Sequence, residues 1–230
     1  MIEVLYEDNH LLVVKKPQNV PVQGDSSKDE DMLTMVKAYL VEKYNKPGEA
    51  YVGLVHRLDR PTGGVMVFAK TSKCASRLSK QIREKSFTKE YLAVVENTPR
   101  EKNEILVNFL KKDERNNKVA IVPSLETGAK RAEMSYKILE TYNKKISLVE
   151  AVLVTGRSHQ IRAQMSNIGC PVVGDLKYNA KNLVSKPNLA LWAYHLEFEH
   201  PVTHSTMKFF ALPPEEDVPW KYFSLGKYVR

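Results

Sequence analysis

Gly53-Leu54-Val55-His56-Arg57-Leu58-Asp59-Arg60-Pro61-Thr62-Gly63-Gly64 runs straight into Val65-Met66-Val67-Phe68-Ala69-Lys70. The apolar run that closes this stretch reads as a short, fully buried strand. The Asp-Arg-Pro-Thr-Gly-Gly piece before it reads as an irregular segment, with glycines that allow a backbone or ligand to approach closely. A rigid strand that holds a polar loop is a common setting for catalytic side chains. Asp59, with Arg57 and Arg60 on either side, is the acidic residue of that loop. Taken by itself, such a carboxylate reads more readily as half of a structural ion pair than as a reactive group.

Outward from this stretch the pattern alternates strands with few helices. Residues 3–7 and 11–15 read as a strand pair turning at Asp8-Asn9-His10. Residues 29–44 show helical spacing at Met32, Val36, Tyr39 and Leu40, stopped by Asn45-Lys46-Pro47-Gly48. Thr71-Ser72 is a helix N-cap signal ahead of Ala75, Leu78 and Ile82. That helix turns Lys73, Arg77, Lys80, Arg83 and Lys85 outward, as a solvated face or as phosphate contacts. Strand-like runs follow at 88–96, 104–110, 118–123, 131–139, 146–155, 189–199 and 205–212, with 111–118 a polar connection. Ser158 to Ile168 reads as a helix stopped by Gly169. The pattern predicts an α+β fold with a mixed, largely antiparallel central sheet and flanking helices. One domain over residues 1–230 is expected, because no linker, repeat or low-complexity tract interrupts the chain.

Composition narrows the function classes. The chain has 230 residues, a formal net charge of +8 and a sequence pI near 9.3, which suits a polyanionic partner. Two cysteines, Cys74 and Cys170, cannot build a disulfide framework and lack metal-ligand spacing, so no metal is expected. No long apolar stretch suggests a membrane span, and the N-terminus lacks a signal-peptide layout. A cytoplasmic monomer without nucleotide or other cofactor is the simplest expectation.

Four blocks together resemble the RluA family of pseudouridine synthases. One is His56-Arg57-Leu58-Asp59 with its Thr-Gly-Gly turn and a strand ending in Ala69-Lys70. Tyr6-Glu7-Asp8-Asn9-His10 leading to Lys15-Lys16-Pro17 resembles the family's opening strand pair. Lys89-Glu90-Tyr91-Leu92-Ala93-Val94-Val95 resembles its tyrosine-bearing strand. Thr155-Gly156-Arg157-Ser158-His159-Gln160-Ile161-Arg162, continuing through Gly174-Asp175-Leu176-Lys177-Tyr178, resembles its arginine-bearing block. The blocks span residues 4 to about 212 in the family's order. The chain departs from the commoner pattern at Gly63, Gln164 and Cys170, none of them a catalytic position.

The resemblance implies a bilobed pseudouridine synthase fold around a catalytic cleft, and an enzyme that isomerises uridine in structured ribosomal or transfer RNA. It implies a stand-alone catalytic domain, because the family's blocks begin within the first ten residues and leave no room for an N-terminal accessory RNA-binding domain. Asp59 becomes the essential carboxylate, Arg162 the cation that pairs with it, and Tyr91 the ring against the uracil and candidate for the C5 proton step. A fixed cation beside a buried carboxyl keeps it ionised. Arg57 is assigned to the RNA side, where a guanidinium can brace the space left by an extracted base. His56 reads first as a structural histidine near the RNA. Lys89, Arg157 and His159 are candidate cleft residues, and Arg60 joins Lys73, Arg77, Lys80 and Arg83 as a candidate RNA contact.

Two rivals follow from the same residues. Asp59 and Asp175 could form a glycosidase-type carboxylate pair, which requires a separation of roughly 5–10 Å. Asp175 reads more simply as a turn-ordering residue. A catalytically inactive RNA-binding or assembly protein would show damage at Asp59, Tyr91 or Arg162, and all three are intact.

Overall fold

The computed structural model describes residues 2–25, 27–178, 180–181 and 188–228. The chain divides into two compact units, Met1–Thr88 with Ala193–Ala211, and Lys89–Trp192 with Leu212–Arg230.

The first unit is built on strands β1 (Glu3–Glu7), β2 (Leu11–Lys16), β3 (Gly53–Leu54), β4 (Gly63–Ala69), β10 (Leu191–Glu199) and β11 (Thr206–Phe210). The order is β1-β2-β4-β10, with β3 also on β4 and β11 on β10. The pairs β1–β2, β2–β4 and β10–β11 are antiparallel. Every residue of β4 is buried, as its unbroken apolar run requires. Helix α1 (Met32–Tyr44) is capped by Asp31, whose carboxylate accepts from Thr34 N. It ends at Asn45 in the left-handed conformation with φ 45°. The expected start at Asp29 is therefore three residues early, because Asp31 satisfies the first free N–H groups. Helix α2 (Ser72–Arg83) begins at the expected Thr71 cap, which accepts from Cys74 N at 3.2 Å. Its apolar side, Cys74 and Leu78, packs with Leu11, Val13, Val65, Val67, Phe87, Leu196 and Phe198 into the core of this unit.

The second unit holds strands β5 (Thr88–Glu96), β6 (Asn103–Asp113), β7 (Lys118–Val122), β8 (Lys130–Tyr142) and β9 (Ile146–Leu153). They follow the antiparallel order β5-β9-β8-β6-β7. Strands β6 and β7 pair from Phe109 with Val122 to Asp113 with Lys118, so the expected polar connection at 111–118 shrinks to four residues. Helix α3 spans Gln160–Asn167, two residues shorter at its start than expected, since His159 takes a left-handed φ of 48°. Gly169, with φ 77°, supplies the expected stop. No helix among the described residues is long and apolar enough to cross a membrane.

Candidate active site

The Asp59 turn is held from below by a lysine. Lys16 ends β2 with no solvent exposure, and its Nζ donates to the carbonyls of Pro17 (2.9 Å), Arg60 (3.0 Å) and Thr62 (2.8 Å). An ammonium has three hydrogens, and here each has its own acceptor. Gln18 Nε2 adds a bond to the Pro61 carbonyl at 2.9 Å, and Thr62 N donates to the Asp59 carbonyl at 2.9 Å. Arg60 reaches back to the Asn19 carbonyl, Ser27 Oγ and the Asp29 carboxylate. The segment 16–19 and the turn 59–62 are thus stitched into one rigid corner. Burial pushes the Lys16 ammonium down to about 7, while the charge of Asp59 pulls the other way. Sequence reasoning missed Lys16 in this role. A usable signal was there: Leu11-Leu12-Val13-Val14 is apolar on both strand faces, so the strand is buried on both sides and its end is too.

Asp59 itself is partly exposed on this corner. His56, three residues earlier in the chain, has Nε2 accepting from Val67 N at 3.1 Å and its ring 5.7 Å from Phe87. That nitrogen carries no proton, as suits a packing histidine. Arg57 is exposed, and its Nη1 donates to Gln23 Oε1 at 3.2 Å. On α2, Lys73, Lys80 and Arg83 are exposed, whereas Arg77 is spent on the Pro201 carbonyl.

In the second unit Tyr91 lies in β5 opposite Ala151 and is 7% exposed. Lys89 is the second residue of the same strand, and a Cβ at Gly156 would stand 3.2 Å from its Nζ, so the glycine makes room for the ammonium. Burial pushes Lys89 below the usual lysine value. Arg157 is exposed and its Nε donates to the Arg131 carbonyl at 3.0 Å. His159 is buried, with Nδ1 and Tyr178 Oη sharing a 2.9 Å hydrogen bond.

Arg162, on helix α3, is 5% exposed. Its Nε and Nη2 bond the two oxygens of Asp175 at 2.6 and 2.8 Å. Tyr178 lies under the guanidinium, 5.1 Å from its carbon to the ring centroid. Asp175 also accepts from Lys177 N at 3.2 Å, which fits its expected turn-ordering role. The pairing with Arg162 was not foreseen, because a Gly-Asp dipeptide carries the same signal whether or not an arginine faces it.

Likeness to known proteins over most of the chain sets it in the class of RNA-modifying isomerases. A family model described as RNA pseudouridylate synthase matches residues 10–167, and the chain belongs to that family, in its RluA branch. The ribosomal large subunit pseudouridine synthase D of Zymomonas mobilis is 33% identical, over 94% of this chain and 70% of its own length. The ribosomal large subunit pseudouridine synthase C of Haemophilus influenzae is 33% identical, over 91% of this chain and 64% of its own. The chain thus spans about two thirds of the length of these curated relatives. A solved structure of human RNA pseudouridylate synthase domain containing 4 shares the fold, with a TM-score of 0.78 at 23% identity, covering 92% of this chain and 88% of that one.

Proposed function

We propose that this chain converts uridine in structured RNA to pseudouridine, acting in the cytoplasm as a monomer on ribosomal or transfer RNA. The observation that carries the reading is the Asp59 turn, fixed through its carbonyls by a lysine with no exposed surface. A reactive carboxylate must be held within a fraction of an ångström of the sugar, and a turn anchored on a buried cation supplies that. The relatives named for the ribosomal large subunit favour ribosomal RNA over transfer RNA.

In this reading the bond from ribose C1′ to uracil N1 breaks, the base turns, and a bond from C1′ to C5 forms. The proton leaves C5 and N1 gains one, so the product is an isomer and nothing is oxidised or hydrolysed. Asp59 acts at the sugar, either by adding to C1′ or by taking the C2′ proton. Arg162 supplies fixed positive charge for the anionic groups of the reaction. Tyr91 offers a ring face to the uracil and a hydroxyl for the C5 proton. Arg57 braces the stack after the nucleotide is drawn out, which costs a few kcal/mol. In the first unit Arg60, Lys73, Lys80 and Arg83 contact phosphate, with Arg77 and His56 supporting them, and in the second unit Lys89, Arg157 and His159 are the residues assigned to the RNA.

The carboxylate-pair hydrolase fares worse, because both oxygens of Asp175 are occupied by Arg162. An RNA carrying tritium at uracil C5 tests the reading. The native chain releases tritium to water and Asp59→Asn does not; equal release from both, or free uracil as product, contradicts it. Tyr91→Phe keeps RNA affinity within about twofold while turnover falls tenfold or more, as expected for one general acid–base group. Turnover at the native rate would remove Tyr91 from the proton step.

A further inference from the structure

We infer that Asp175 is a positioning residue for this reaction, holding the guanidinium of Arg162 in the single orientation in which that group can serve it; the inference rests on the pseudouridine reading above. The contact is a planar fork. Nε meets Oδ2 at 2.6 Å and Nη2 meets Oδ1 at 2.8 Å, with the two side chains 6% and 0% exposed. Two parallel bonds fix both the position and the plane of a guanidinium, which one bond cannot do. Tyr178 closes a face of the group at 5.1 Å, and is itself set by Val119 N at 2.7 Å and His159 Nδ1 at 2.9 Å on its hydroxyl. The fork uses one edge of the guanidinium. Its Nη1 hydrogens and the second Nη2 hydrogen therefore point away from Asp175.

A buried ion pair is a costly way to tie a helix to a turn. Apolar side chains of similar volume do that job as well or better, since desolvating two charges offsets most of their attraction. The pair makes sense where the cation is needed for itself and must not wander. Asp175 touches neither sugar nor base in this account, and acts only through Arg162.

Single-turnover tritium release, RNA affinity and thermal midpoint are measured for the native chain, Asp175→Asn, Asp175→Glu, Arg162→Lys and the Arg162→Lys/Asp175→Asn double variant. Asn removes the charge and keeps the shape; Glu keeps the charge and shifts it by one methylene. Both single Asp175 variants slow the chemical step by about tenfold or more, approaching the order of 10²-fold that a 1 Å misplacement costs. RNA affinity does not weaken, because no positive charge is lost. In the double variant the Asp175→Asn penalty shrinks to under about twofold on top of Arg162→Lys, the non-additivity of residues acting as one unit. A merely structural role predicts instead a fall in RNA affinity and in thermal midpoint alongside the loss of rate. If Asp175→Asn does not fold, Asp175→Glu decides alone. Native release rates in both Asp175 variants, or full additivity, overturn the inference while leaving the pseudouridine reading intact. A native chain that releases no tritium overturns both.

Discussion

At position 16 a lysine with no exposed surface gives all three of its hydrogens to main-chain carbonyls, two of them 44 and 46 residues further along the chain. Removing it takes the donor from three carbonyls, one of them in a buried bond and two in partly buried ones, and a buried group left unmet costs about 1–3 kcal/mol. Lys16→Met is therefore expected to lower unfolding free energy by about 2 kcal/mol or more in urea titrations, and to slow tritium release as the Asp59 turn loosens. A variant as stable and as active as the native chain would show the lysine to be incidental. Neither this contact nor the Arg162–Asp175 fork could be read from local pattern, because both partners of each look ordinary alone. The family blocks do place Asp59, Tyr91 and Arg162 among the residues to examine. What they leave out is which side chain holds which, a matter of long-range geometry.

Among the elements, β4 was the most legible, since an apolar run with no polar face has only one place to go. Its first turn depends on Gly64, at φ 126°, where a Cβ would lie 2.1 Å from the Ala193 carbonyl oxygen. Gly64→Ala must move the backbone or the neighbouring strand, and is expected to cost on the order of 3 kcal/mol or to prevent folding. A thermal midpoint within a degree or two of native would contradict that close approach. Strand β1 is tied to α1 by Glu7, which accepts from Lys43 at 2.6 Å, Tyr44 at 2.7 Å and Tyr39 at 2.9 Å, and from Lys70 at 2.7 Å. Burial alone would raise this carboxyl, but the four donors outweigh it and hold it at about 2 instead of 4.5. A depressed carboxyl stabilises above its ordinary value and loses that stabilisation as pH falls through the folded one. The native chain should exceed Glu7→Gln by about 2 kcal/mol at pH 6, after allowance for screening of the exposed Lys43, and the gap should close between pH 4.5 and pH 2. A constant gap across that range would mean that charge is not what Glu7 supplies. Helix and strand ends were less legible than the elements themselves, as at Asp31 and His159, because caps are set by backbone angles that a periodicity does not encode.

For the molecule as a whole, the alternation of strands with few helices was enough to give the α+β class. The return of residues 193–211 to the first unit was not legible, because strand order in space does not follow from order in sequence. The excess positive charge bears on RNA at this scale. If α2 contributes phosphate contacts, replacing Lys73, Lys80 and Arg83 by Gln should weaken RNA binding and reduce the slope of log affinity against log salt by about 2–3. The rate at saturating RNA should be unchanged, and an unaltered slope would place the contacts elsewhere. The central claim, that an Asp59-dependent uridine isomerisation is what this chain does, is tested most directly by mapping pseudouridine in total RNA from cells lacking it. At least one ribosomal or transfer RNA site should lose the modification, regain it with the native chain, and stay unmodified with Asp59→Asn. Unchanged maps on deletion, or restoration by Asp59→Asn, would contradict it.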